Sequence, residues 1–334
     1  MKKQRLVILG GGESGVGTAL LAQAKGYDIF VSDKGKIKEK YKNVLIHNEI
    51  EWEEQQHTEA KILNADVVMK SPGIPDKVTL VQKLISTKIP VISEIEFASK
   101  YTNATIVAIT GSNGKTTTAS LTHHILVQEL NVGLAGNIGD SFAKQVLEDD
   151  FENYVLEISS FQLDGIVEFK PNIAVLTNIT PDHLDRYDYK FENYINSKFR
   201  IALNQTKEDY LIYDADDKVI TNWLKENTIQ STLLPFSLEK PIENGAYLDN
   251  HNIKDEFENK IIEVEKIVEV EVEKIIEKEI PIEVIKEKII RIPIVTEVIK
   301  EVEKIVEIEN TDKIAELSQT IVKLKMQLRT KPKF

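Results

Sequence analysis

The sequence contains no cysteine, so it can form neither disulfides nor thiolate metal sites. There is no basic block in the first 250 residues, and the formal net charge of −12 at pH 7 argues against a general nucleic-acid or acidic-membrane surface. The only apolar run near the start, 6–9, is too short for a signal-peptide core or a membrane span. We therefore expect a cytoplasmic protein, and 334 residues are enough for two or three domains.

A long segment of the C-terminal part, 261–309, contains no glycine, alanine or aromatic residue. Apart from two prolines, one arginine and one threonine, residues 261–309 are all Ile, Val, Glu or Lys. This composition predicts a low-complexity repeat over 255–310 instead of a globular domain. The β-branched residues favour strands, and the two prolines interrupt any long helix, so we expect extended or mixed structure there.

Apolar residues recur at spacings of three and four near the end of the chain, at Ile314, Leu317, Ile321, Leu324 and Leu328. This spacing predicts an amphipathic helix over 311–330. Two interpretations are open. The helix forms a coiled coil, through which the chain self-associates, or it lies on the body of the protein.

The strongest signal lies at 106–118, IVAITGSNGKTTT. A β-branched apolar run predicts a buried strand of a parallel sheet, and it leads through a glycine-rich turn into a helical pattern. Such a turn directs backbone N–H groups and a helix N-terminus at a phosphate, while Lys115 reaches the outer phosphates and Thr116 holds Mg²⁺. We therefore predict a site for a nucleoside triphosphate, formed by Gly111, Ser112, Asn113, Gly114, Lys115, Thr116 and Thr117.

A second glycine-rich turn opens the chain. Gly10, Gly12 and Gly15 form a G-x-G-x-x-G pattern between a predicted strand and a predicted helix, and the next predicted strand ends at Asp33. Taken alone, this pattern predicts a dinucleotide site with Asp33 on a ribose. The same turn also suits any other phosphate, or serves only for tight packing of a helix on a strand.

Several further segments follow the alternation of strands and helices. The segment 65–70 is a predicted strand, and the turn 71–75 follows at its carboxyl end, where open α/β sheets bind ligands. The polar stretch 48–59 is predicted to be a surface helix or loop, with His57 a solvated imidazole. We place the first domain boundary near 101–103.

Polar residues also follow the later predicted strands. Glu157 lies within the apolar strand 154–158, and a buried carboxylate beside a phosphate loop has a metal ion as its natural partner. The turn around Asn137 either meets a ligand or only connects two elements. Judged in isolation, His183 and Lys198 are a structural histidine and a solvated lysine.

Together these residues resemble the Mur ligases, ATP-dependent enzymes that add amino acids to the UDP-sugar precursor of bacterial peptidoglycan. Within that family the pattern is most similar to the member that adds D-glutamate to UDP-N-acetylmuramoyl-L-alanine. The resemblance implies an α/β fold with a Rossmann-like UDP-substrate-binding domain at 1–101 and a P-loop, parallel-sheet, ATP-binding domain at 102–254. It rests on the opening glycine turn and on the segments SPGIP (71–75), TGSNGKT (110–116), GNIG (136–139), EISSFQ (157–162) and DHLDRY (182–187), with Lys198.

The resemblance also assigns roles to single residues. Substrate contacts are implied for Ser14, Gly15, Asp33, Gly73, Asn137, Ser159, Gln162 and His183. Lys115, Glu157, His183 and Lys198 are implied to be catalytic. Lys198 is implied to carry a carbamate and to hold one Mg²⁺ with Glu157 and His183, while Thr116 holds another.

The implied reaction starts with attack of the substrate carboxylate on the γ-phosphate of ATP. The amine of D-glutamate then displaces phosphate from the acyl phosphate, which links the protein to cell-wall synthesis, cell shape and division. Members of the family normally have a third domain that carries the amino acid. Here the pattern ends near residue 250, so we expect a truncated central domain, and a self-associating module on a degenerate nucleotide-binding body is the alternative hypothesis.

Overall fold

The computed structural model describes residues 3–148, 150–249 and 252–255. The predicted helix at 311–330 lies outside these residues, as does the predicted repeat at 255–310 except for its first residue. Within the described ranges, no helix is both long and apolar enough to cross a membrane.

The first part of the chain forms a five-stranded parallel sheet with the strand order β3-β2-β1-β4-β5. Its strands are β1 (Arg5–Leu9), β2 (Asp28–Asp33), β3 (Glu51–Glu54), β4 (Val67–Lys70) and β5 (Val91–Ile92). The helices are α1 (Glu13–Ala24), α2 (Glu39–His47), α3 (Glu59–Ile62), α4 (Thr79–Ser86) and α5 (Glu94–Ser99). Helices cover both faces of the sheet, which is why the central strand β1 is apolar along almost its whole length. The predicted Rossmann-like unit is confirmed.

The prediction for the polar stretch 48–59 was wrong, because it contains β3 at the edge of the first sheet. Its acidic composition is misleading, since Glu53 is buried and accepts hydrogen bonds from the Ser32 hydroxyl at 2.7 Å and from the Thr58 N–H at 2.7 Å. His57 is not simply solvated. Its Nδ1 lies 2.7 Å from the Ser32 hydroxyl, and burial lowers the pKa of its imidazole.

The second part forms an eight-stranded sheet with the order β13-β12-β11-β10-β9-β6-β8-β7, parallel except for the β12–β13 pair. Its strands are β6 (Thr105–Thr110), β7 (Val132–Gly136), β8 (Asn153–Glu157), β9 (Ile173–Leu176), β10 (Tyr210–Asp214), β11 (Thr232–Ser237), β12 (Ala246–Asp249) and β13 (Asn252–Asp255). The α-helices are α6 (Lys115–Leu126), α7 (Phe142–Glu148), α8 (Ser160–Leu163), α9 (Phe191–Phe199) and α10 (Lys218–Glu226), with 3₁₀ turns at Leu184–Arg186 and Arg200–Ala202. The predicted α/β architecture with a parallel central sheet is confirmed.

Strand order determines where loops from different parts of the chain meet. In the second sheet, β6 lies between β8 and β9. The strands that directly follow it in the chain, β7 and β8, lie on one side of β6, and the later strands β9 to β13 lie on the other. In the first sheet, β1 has the same relation to β2 and β4. Loops at the carboxyl ends of strands diverge at such switch points and leave a crevice. This topology predicts one crevice at each sheet. Most predicted site residues follow the strands beside it, whereas Asn137 follows β7 and Lys198 lies on α9.

Helix α5 joins the two sheets through two buried carboxylates. Glu94 is 1% exposed and accepts hydrogen bonds from the Ser141 hydroxyl and from the Ala143 N–H at the start of α7. Glu96 is fully buried, and its Oε2 accepts three backbone N–H bonds from 167–169 at 2.8–3.0 Å. Because water is excluded from these carboxylates, their hydrogen bonds fix α5 against the second domain. Burial also raises the pKa of Glu94.

Replacing Glu94 by glutamine is expected to make stability less dependent on pH. A carboxyl group whose pKa is raised by folding favours the folded state at low pH, and this contribution is lost as pH rises through the folded pKa. The free energy of unfolding of Glu94→Gln, relative to that of the wild type, should therefore increase from pH 4 to pH 8. Urea unfolding at both pH values measures the difference.

Glu96→Gln provides the matched control on the same helix. It replaces a charged acceptor of three N–H groups, so it should lower stability by about 2 kcal/mol. A Glu94→Gln variant that loses more stability at pH 8 than at pH 4 would contradict a raised pKa of Glu94 in the folded state.

Candidate active site at the phosphate loop

The phosphate loop lies between β6 and α6, as predicted. It spans Gly111–Gly114, and Lys115 is the first residue of α6. Gly111 and Gly114 have φ values of +151° and +81°, which side-chain-bearing residues rarely adopt, and a Cβ on Gly111 would lie 2.0 Å from the Thr177 hydroxyl. The Lys115 ammonium donates to the Ser112 carbonyl at 3.0 Å, so it lies over the loop. The loop thus presents a helix N-terminus and a cation on one side.

Residues after β9 hold this loop in place, and the sequence did not identify them as part of the site. The Asn113 N–H donates to Asn178 Oδ1 at 2.9 Å, and the Thr177 hydroxyl donates to the Asn113 carbonyl at 2.8 Å. The Ser112 hydroxyl donates to the Thr180 carbonyl at 2.9 Å and accepts from its N–H at 2.9 Å. Only their position in the sequence could have indicated this role, because they directly follow β9, the strand beside β6.

Glu157 ends β8 and is only 1% exposed. Its two carboxylate oxygens accept from different elements, Oε2 from the Thr116 hydroxyl and Oε1 from the Asn137 side-chain amide, both at 2.7 Å. Both partners are neutral, so the negative charge of Glu157 lies beside the phosphate loop without a cation in hydrogen-bond contact among the described residues. Adjacent carboxylate and hydroxyl oxygens are the ligands that Mg²⁺ prefers, so this pair fits such an ion.

Lys198 lies on α9 and is buried, contrary to what its sequence position alone suggested. It is 2% exposed, and its ammonium donates to the Gly111 carbonyl at 2.8 Å and to the Thr110 hydroxyl at 3.2 Å. Burial, followed by repulsion from Lys115, lowers the pKa of Lys198 to about 7. A substantial share of its side chains is therefore neutral at physiological pH, and a neutral amine can act as a nucleophile.

His183 is exposed, unlike the predicted metal ligands Glu157 and Lys198, which are buried. Its side chain is 54% exposed and its backbone is left-handed, with φ of +50°. The ring packs 5.1 Å from that of Phe161, and Nε2 lies 3.5 Å from an Asp182 carboxylate oxygen. Within the described part of the chain, no three His, Cys, Asp or Glu side chains are arranged as a metal site. The set of Glu157, His183 and Lys198 thus stays a prediction.

The predicted substrate residues of the first sheet lie around its crevice. Asp33 accepts from the Gly11 N–H and the Gly35 N–H, both at 2.7 Å, so its carboxylate ties the turn after β1 to the turn after β2. Gly15 lies in α1, where a Cβ would come within 1.9 Å of the Gly10 carbonyl oxygen. Ser14 precedes it in the first turn of this helix, and the exposed Gly73 follows β4.

Two further predicted substrate residues form a helix cap. The Ser159 N–H and hydroxyl donate to Gln162 Oε1 at 3.0 Å each, and the Gln162 N–H donates back to the Ser159 hydroxyl. This capping box starts α8 directly after β8. Gln162 is 2% exposed, and its side-chain oxygen accepts the Ser159 N–H, so it holds the backbone of the loop that follows Glu157.

The fold and this site define an α/β protein with two sheets and a glycine-rich loop between β6 and α6. The Mur ligase middle domain family matches residues 109–283, and the MurD N-terminal domain family matches residues 5–79. The first match alone covers more than half of the sequence. The chain belongs to the Mur ligase family.

Curated relatives and a solved structure agree with this assignment. The chain is 65% identical over 251 residues to a UDP-N-acetylmuramoylalanine--D-glutamate ligase from Christiangramia forsetii, covering 75% of this chain and 56% of that protein. It is 54% identical over 252 residues to the protein of the same name from Bacteroides thetaiotaomicron, covering 75% and 57%. The chain therefore spans little more than half the length of these relatives.

The fold is also similar to that of a crystal structure of UDP-N-acetylmuramate:L-alanyl-gamma-D-glutamyl-meso-diaminopimelate ligase from Neisseria meningitides. The TM-score is 0.51 at 18% identity, over 73% of this chain and 83% of that one. At this identity the likeness concerns the fold alone, and it supports the two-sheet arrangement described above.

Proposed function

We propose that this chain is an ATP-dependent ligase that activates the carboxylate of UDP-N-acetylmuramoyl-L-alanine as an acyl phosphate, for reaction with D-glutamate. One observation carries the proposal: Glu157 joins the first turn of α6, through Thr116, to the turn that carries Asn137, a predicted substrate residue. A single buried carboxylate thus connects the nucleotide side of the crevice to the side where the acyl end of the substrate would bind. The curated relatives that carry this activity by name support the choice of substrate.

The chemistry requires positive charge, because a carboxylate must attack a phosphate that is itself an anion. Lys115 and the N-terminus of α6 supply fixed positive potential on the phosphates. Thr116 and Glu157 would hold Mg²⁺, which would neutralise phosphate charge. The remaining contribution of the protein is orientation, so that the carboxylate oxygen lies in line with the γ-phosphorus.

Lys198 has a separate role in this proposal. Its ammonium donates a hydrogen bond to the carbonyl of Gly111, the first residue of the phosphate loop. Carbamylation would convert this cation into an anionic oxygen ligand without changing its position on α9. The lowered pKa supports this modification, since only the neutral amine attacks CO₂.

The test is to trap the acyl phosphate. The whole chain is incubated with ATP, Mg²⁺, UDP-N-acetylmuramoyl-L-alanine and hydroxylamine, without D-glutamate. Attack of hydroxylamine on the acyl carbon releases phosphate and leaves a hydroxamate, which mass spectrometry detects together with ADP. We expect hydroxamate here, and none with UDP-N-acetylmuramic acid, which lacks the alanine carboxylate.

A parallel incubation with D-glutamate replaces hydroxylamine and measures the glutamyl product. Hydroxamate together with this product supports the complete proposal. A chain that binds ATP but forms neither compound would contradict the proposed activity.

A further inference from the structure

The guanidinium of Arg186 lies between loops that belong to the two sheets. Arg186 ends the 3₁₀ turn after β9 in the second domain. Its Nη2 donates to the Pro72 carbonyl at 3.2 Å and to the Ile74 carbonyl at 3.3 Å, both in the turn after β4 of the first domain. One side chain thus connects the carboxyl-end loops of two separate sheets.

The same guanidinium also lies over an aromatic ring. Its central carbon is 4.1 Å from the ring centroid of Phe161, which lies on α8. Phe161 in turn stacks on Tyr187, with ring centroids 6.1 Å apart and an interplanar angle of 12°. This cation–π contact and the hydrogen bonds to the turn after β4 together hold the orientation of Arg186 from two sides.

Two lysines also donate hydrogen bonds to the loops that Arg186 connects. The Lys77 ammonium donates to the Asp185 carbonyl at 3.0 Å, which is a second bond between the two loops. The Lys70 ammonium, on a side chain that is 7% exposed, donates to the Ile74 carbonyl at 2.7 Å from within the first domain. The turn that Arg186 contacts is therefore also held firmly from its own side.

We propose that Arg186 is a positioning residue that sets the spacing between the turn after β4 and the loop after β9. This inference rests on the proposed function, because these loops carry Gly73 and His183, which are predicted to contact different parts of one elongated substrate. The nucleotide end would bind at the first crevice and the acyl end at the second. Arg186 thereby determines whether both ends are accepted at once.

The chemistry of the contact favours arginine over lysine. A planar guanidinium donates to carbonyl oxygens in its plane while its face lies on an aromatic ring. A lysine ammonium is a compact charge that cannot serve both partners with a fixed geometry. Arg186→Lys should therefore restore only part of what Arg186→Ala loses.

Kinetics of the whole chain test the positioning role. We expect Arg186→Ala to raise KM for the UDP substrate at least tenfold and to leave KM for ATP within twofold, with Arg186→Lys between wild type and alanine. Arg200→Ala is the matched control, because Arg200 also donates to backbone carbonyls, those of Leu163 and Ile166, but only within the second domain. It should lower the melting temperature and leave the ratio of the two KM values unchanged.

A measurement without turnover separates this inference from the proposed function. Because the chain has no cysteine, Ser86→Cys on α4 and Glu192→Cys on α9, both exposed, accept two spin labels specifically. We expect a narrow distance distribution that broadens when Arg186→Ala is added. If Arg186→Ala broadens the distribution but the wild-type chain has no ligase activity, the proposed function alone is overturned. If the wild-type chain is active and Arg186→Ala changes neither the distribution nor the KM values, the role of Arg186 is overturned.

Discussion

Replacing Lys115 by alanine is expected to lower kcat/KM of the ligase reaction at least a thousandfold and to weaken ATP binding at least tenfold. Lys115 begins α6 and holds its ammonium over the phosphate loop by a 3.0 Å bond to the Ser112 carbonyl. We predict that this ammonium contacts the outer phosphates of ATP, where negative charge concentrates in the transition state. Titration with a fluorescent ATP analogue measures the affinity, and ADP release measures turnover.

Two controls belong to this experiment. Lys61→Ala removes a lysine of an exposed ion pair with Glu51, which contributes at most about 1 kcal/mol, so activity should not change. Binding of the UDP substrate to Lys115→Ala should remain, because its predicted nucleotide contacts lie at the first sheet. Unchanged ATP affinity and activity in Lys115→Ala would show that the loop does not bind the nucleotide.

The second large effect is expected at Lys198. Because burial lowers its pKa to about 7, the amine is mostly protonated at pH 6 and mostly neutral at pH 8. The neutral nitrogen attacks the carbon of CO₂, forms a C–N bond and releases a proton. With ¹³C-labelled bicarbonate, a carbamate resonance should therefore grow between pH 6 and pH 8.

Lys198→Met should remove that resonance and lower ligase activity at least a hundredfold, because it deletes the anionic oxygen implied for the site. Lys190→Met, an exposed lysine just before α9, should retain both. A wild-type chain with no carbamate resonance at pH 8, or a fully active Lys198→Met variant, would contradict this role.

Much of this protein was determined by its sequence alone. Strand runs such as 6–9 and 106–109 were recognisable because helices cover both faces of each sheet, so these strands are apolar along their length. The phosphate loop was recognisable because its chemistry is local: a strand, a glycine-rich turn and a helix start are consecutive in sequence. The family was recognisable because several such segments occur in one order along the chain.

Tertiary structure decided what depends on contacts between distant residues. The edge strand β3 was missed because its pairing with β2 and the burial of Glu53 depend on distant residues, among them Ser32, which donates to Glu53 from β2. The burial of Lys198 follows from packing of α9 against the phosphate loop. Its hydrogen bond to Gly111 joins residues that are 87 positions apart in the sequence. The connection made by Arg186 spans 112 and 114 positions, a separation over which local sequence pattern carries no information. Local chemistry thus specified the elements and their motifs, whereas the charge state of buried groups and the spacing between the two crevices emerge only when the sheets come together.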